Sequence, residues 1–128
     1  MRRWMPHIKC TAVEDLRATV NETTGALSIG RVQPPGATGT GGGVINWATF
    51  YSLLRLGGYS GAAESQIEYT IVGANGTSVS LNSAFFADHA QFVSGNLTPA
   101  IMIAAMRKDT DFIKQRALAG GWTAEQIV

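Results

Sequence analysis

The sequence predicts an α+β fold: an antiparallel sheet built from hairpins, with helices mainly in the C-terminal third. Three observations carry that expectation. Stretches in the first two-thirds alternate apolar and polar residues about glycine-containing turns, the last third holds the longest apolar stripe at helical spacing, and neither strand-helix-strand alternation nor an internal repeat is seen. With 128 residues the chain is expected to form a single domain over 1–128, with an N-terminal segment, 1–10, and a Gly/Pro-rich arm or loop, 33–43.

Residues 12–32 admit two readings. Thr11 and Glu14 could form a capping box ahead of Val13, Leu16 and Val20 at helical spacing. Against a helix, Leu16, Ala18 and Val20 alternate with polar residues, Glu22-Thr23-Thr24-Gly25 reads as a turn, and Leu27 and Ile29 alternate again, so a hairpin is preferred. Residues 33–43, QPPGATGTGGG, hold two prolines and five glycines with no sizeable apolar side chain. They read as an exposed arm that a neighbouring subunit would order.

Residues 44–56 concentrate Trp47, Phe50, Tyr51, Leu53, Leu54 and Leu56 ahead of Gly57-Gly58, which favours a helix capped near Asn46 over the strand that the aromatic content would also fit. Residues 66–72 alternate Ile67, Tyr69 and Ile71 with polar groups, and residues 77–82 alternate Val79 and Leu81 with serines. Gly73-Ala74-Asn75-Gly76 between them predicts an antiparallel hairpin. Residues 83–94 read as a helix closed by Gly95. Thr98 then caps a helix with Pro99 at its first position, carrying Ile101, Met102, Ala105, Met106, Phe112 and Ile113 to a stop at Gly120-Gly121. Four charged residues between 107 and 111 predict a bend or restart near Asp109, and the whole stripe, the Met102 and Met106 pair included, is expected to cover the hairpin. Thr123 and Gln126 offer a last capping box.

Composition restricts function. Charged residues make up 15% of the chain, against about 25% in an ordinary domain, while fifteen glycines, eight serines and twelve threonines fill the surface. Such neutrality suits a protein covered by copies of itself. The net charge of +1 leaves no global field for a polyanion. The small basic surplus lies at the start, so Arg2, Arg3 and Lys9 are the candidate nucleic-acid contacts, expected to be weak, non-specific and salt-sensitive.

The chain's only cysteine, Cys10, excludes an internal disulfide. His7 and Cys10, three apart, supply two metal ligands where a site wants three or four. The glycine-rich stretch has no lysine where a phosphate-binding loop needs one, and its G-x-G-x-x-G frame from Gly39 ends on Val44. Asp88-His89 is the one carboxylate beside an imidazole, but neighbours on a helix diverge by about 100°, and no nucleophile turn accompanies Ser83. Asp109 and Asp111 beside Lys108 and Lys114 read as local surface pairs. No cofactor or metal is expected. No apolar stretch follows the basic start as a secretory signal requires, and no apolar run approaches a membrane span.

Residues 112–128, FIKQRALAGGWTAEQIV, are similar to the opening of many helix-turn-helix modules, in which a glycine-bounded helix is followed by W/S-x-x-x-I. The chain ends at Val128 before a recognition helix, so DNA reading by this segment is not expected. In size and in the order of its elements, strands first and helices last, the chain looks like small RNA-phage coat proteins, a likeness that no motif carries. The expected function is a self-assembling structural protein of a small virion or bacteriophage, not an enzyme. Its partners would be copies of itself or other structural subunits, with no membrane contact. It would be cytoplasmic when made and part of the virion thereafter. The candidate subunit-contact arm comprises Pro34, Pro35, Gly36, Gly39, Gly41, Gly42 and Gly43. An adaptor or inhibitor that binds a host protein is the alternative, and an enzyme with an atypical site around His89 a further one.

Overall fold

The computed structural model describes residues 5–29, 34–36, 43, 45–81 and 90–127. A 3-10 turn (Met5–His7) leads into β1 (Cys10–Val13), followed by β2 (Ala18–Val20), β3 (Leu27–Ile29), α1 (Trp47–Leu56), β4 (Ala62–Ser65), β5 (Thr70–Val72) and β6 (Ser78–Ser80). Residues 90–93 are helical, and α2 (Pro99–Ala119) and a 3-10 turn (Ala124–Gln126) complete the described chain.

Helices and small antiparallel sheets are both present, so the α+β class stands. A single antiparallel sheet does not. The described strands form three separate two-stranded sheets, of which β2–β3 and β5–β6 are antiparallel hairpins and β1–β4 is parallel. In the parallel pair Cys10 lies opposite Ala62 and Val13 opposite Ser65. Parallel neighbours need a long crossover, supplied here by the first hairpin and α1, so the chain does contain a strand-helix-strand unit. The sequence hides it because Ala62-Ala63-Glu64-Ser65 has neither alternation nor β-branched residues; its partner imposes the extended form.

Local signals are obeyed where they are strong. Asn46 caps α1 by accepting the Thr49 amide at 3.1 Å, and the helix ends at Gly57. Thr98 caps α2 by accepting the Ile101 amide, Pro99 occupies the first turn, and Gly120 closes it. In the β5–β6 turn the Gly73 amide bonds the Thr77 carbonyl, and Gly76 takes a positive φ of 80° that favours glycine there.

α2 is one uninterrupted helix of 21 residues, about 31 Å long, with no restart near Asp109. A restart is unnecessary because Asp109 points inward and is itself buried. The two halves of α2 serve two cores. Ile101 and Met102 pack on Val79, Leu81 and Leu97, as expected for a helix covering the second hairpin. Phe112, Ile113 and Ala117 instead join Trp47, Tyr51 and Leu54 of α1, together with Met5, Val13 and Tyr59. The expected single stripe is therefore divided, and Met106 is exposed while Met102 is packed.

The C-terminal end of α2 meets α1 closely. A Cβ at Gly120 would press on the α1 backbone at Ala48 and Ser52, and the Trp122 indole donates to the Tyr51 carbonyl at 2.8 Å. Leu97, 1% exposed, and Leu54, 2% exposed, anchor the two cores. Leu97→Ala and Leu54→Ala are each expected to lower unfolding free energy by about 2 to 5 kcal/mol, and Met106→Ala by less than about 0.5 kcal/mol in the monomer. Urea titration of the three variants measures the difference.

Candidate functional site

Two buried carboxylates organise the molecule: Asp15, which the sequence pattern does not single out, and Asp109, which it places on the surface. Asp109, 2% exposed in the middle of α2, accepts the Ser65 hydroxyl at 2.7 Å and the Tyr69 hydroxyl on the same oxygen, Oδ2. These bonds tie α2 to the end of β4 and the approach to β5. The expected surface pairing of Asp109 with Lys108 or Lys114 is thus replaced by an internal clamp. Buried polar atoms need such partners, and an ionisable group needs them most.

Asp15, 1% exposed, performs the same task beyond β1. It accepts the Trp47 indole at 2.8 Å, the Gly36 amide at 3.2 Å and its neighbour Leu16's amide at 3.0 Å. A side chain at Gly43 would collide with this carboxylate. Both aspartates are committed to donors from their own chain, an arrangement that fixes elements in place.

A cavity of about 460 Å³ lies between α1, the second half of α2, β4 and the tail, walled chiefly by Tyr51, Leu54, Tyr59, Ile113, Ala117 and Trp122. Its polar fringe includes Thr110, whose hydroxyl is already bonded to the Met106 carbonyl at 2.8 Å, and Lys114. Tyr51 has a buried hydroxyl with no hydrogen-bond partner among the described residues. Its phenol is pushed up to about 12 by burial and by neighbouring Tyr59. Tyr69 is raised further by burial and by the hydrogen bond to Asp109.

The outer surface carries the other notable feature. In the β2–β3 hairpin Val20 pairs with Leu27, and these side chains are 59% and 62% exposed. Thr19 and Ser28, opposite each other on the reverse face, are exposed too. Among the described residues no third strand pairs with this hairpin and nothing covers Val20, Leu27, Thr19 or Ser28, and a two-stranded hairpin so exposed is marginal in water.

Lys9, His7 and Cys10 are exposed around the start of β1, and Arg2 and Arg3 lie outside the described residues. Ser83, Asp88, His89, Gly39, Gly41 and Gly42 also lie outside them. Of the arm, Pro34, Pro35, Gly36 and Gly43 are described. Pro35 is buried, and Gly36 bonds Asp15 and lies against the Phe112 ring, so this part of the stretch, expected to be ordered by a neighbouring subunit, is anchored within its own chain. Among the described residues no group of three His, Cys, Asp or Glu side chains converges as a metal site. Nor is any described helix long and apolar enough to cross a membrane. No protein-family model, curated protein or solved structure matches the chain.

The two tyrosines make opposite predictions. Tyr69→Phe removes a bond to a buried carboxylate and should destabilise by about 1 to 3 kcal/mol, whereas Tyr51→Phe removes an unpartnered hydroxyl and should be neutral or stabilising. Both phenols have folded pKa values above the unfolded value near 10. Their protonated forms therefore hold full stability below about pH 10, and it is lost as pH rises through the folded values. Denaturation midpoints measured from pH 8 to 12 should be flat and then fall, with a smaller alkaline fall in the Tyr69→Phe variant.

Proposed function

We propose that this chain is a self-assembling structural subunit, of the kind that builds small virions and bacteriophage particles, and that it works through contact with copies of itself. The observation that carries the reading is the open β2–β3 hairpin, whose apolar pair Val20 and Leu27 faces solvent and whose reverse face is bare as well. A hairpin needs a third strand or a packed layer for stability, and a second copy provides either. The other described sheets also have two strands each; their inner faces are packed through Val13 and Val79, while Val72 is exposed on β5. Ile103, Met106 and Leu118 add apolar surface along α2. The low charge content of the chain is consistent with a surface that becomes covered.

Mass measured by light scattering over a concentration series, with negative-stain imaging, tests this reading. A shell, ring or tube, or a defined oligomer on the way to one, is the expected result. The Val20→Lys, Leu27→Lys double variant should retain the monomer's unfolding midpoint and lose the larger species. A monomer at every soluble concentration would overturn the reading, and stable capture of one host protein by that monomer would favour an adaptor in its place.

A further inference from the structure

The outward face of α2 repeats with the spacing of a helix-pairing seam. Because Asp109 is turned inward, Ala100, Ala104, Arg107, Asp111, Lys114 and Leu118 fall on the opposite side, at successive intervals of four, three, four, three and four, and all six are exposed. The series is symmetric about residue 109. When a helix meets an antiparallel copy of itself about a two-fold axis at that point, Arg107 faces Asp111, Ala104 faces Lys114 and Ala100 faces Leu118, each pair occurring twice. Opposite charges thus meet at both central contacts, small residues let the backbones approach, and the Lys114 stem lies over Ala104 with its ammonium in water. Within one helix the Arg107 and Asp111 order is the less favourable one for an i, i+4 pair, so local pairing accounts for it poorly.

From this self-complementarity the geometry points to α2 as a homodimer contact, with two copies of the chain packed antiparallel through the seam centred on residue 109. The inference rests on the assembly reading above and names one of its surfaces. Three-four spacing gives a crossing angle near +20°, the geometry of long antiparallel pairs. Exposed charges make half of the contact, so association weakens as salt rises.

The test uses two full-length variants of exposed residues, Arg107→Asp and Asp111→Arg, each checked by circular dichroism for an unchanged fold. Alone, the first sets acid against acid and the second base against base, and each should associate about tenfold or more weakly than wild type. Mixed, their charges are again complementary across the two-fold, so a heterodimer of near wild-type affinity should form, which analytical ultracentrifugation with one labelled variant reads directly. Variants that associate like wild type would overturn the seam while leaving assembly intact. Weak variants that mixing fails to restore would overturn the antiparallel register, since loss of an intrahelical pair cannot be repaired by a second chain. A monomeric wild type would overturn both the seam and the assembly reading.

Discussion

The rotation of α2 about its own axis depends on a single carboxylate. The apolar residues of this helix are spread around its circumference: Ile101, Met102, Phe112 and Ile113 are partly buried, and Ile103, Met106 and Leu118 are exposed. Hydrophobic pattern alone would therefore tolerate several orientations. Asp109 narrows the choice: burying this acid anywhere but beside the Ser65 and Tyr69 hydroxyls would leave it without donors, and turning it to solvent would leave the hydroxyl of the buried Tyr69 without its acceptor. Once Asp109 faces the β4–β5 approach, the first half of α2 meets the second hairpin, the second half meets α1, and the charged seam faces outward.

Asp15 and Asn96 extend the same device to the rest of the chain. Asp15 joins the start of α1 and the Pro34–Gly36 turn to the segment after β1. Asn96, buried, accepts the Asn75 amide at 3.1 Å and donates to Thr77 and Gln91, so the β5–β6 turn is fastened to the residues that precede α2. Among the described residues two small cores are joined by polar clamps, which suits described sheets of only two strands each.

What the sequence made legible follows from the range of the signal. α1 and α2 were readable because Asn46, Thr98, Pro99, Gly57 and Gly120 act within a turn of their own positions. The hairpins were readable because alternation and the glycine turns are local. The parallel β1–β4 pair was not, since Ala62–Ser65 is extended only because β1 lies beside it. Both aspartates were hidden for the same reason: Asp15 finds Trp47 across 32 residues and Asp109 finds Ser65 across 44, and before folding each is one more surface acid. The exposure of Val20 and Leu27 was equally invisible, because alternation declares that a face should be covered and not what covers it.

An incomplete layer completed by another copy is the central claim, and hydrogen exchange of the β2–β3 hairpin tests it most directly. Exchange followed at dilute and assembling concentrations should show the amides of residues 18–20 and 27–29 gaining protection as copies associate, while those around Leu54 in α1 stay protected throughout. Hairpin amides protected to the same degree in the dilute monomer would mean that the hairpin is stable alone, contradicting the account.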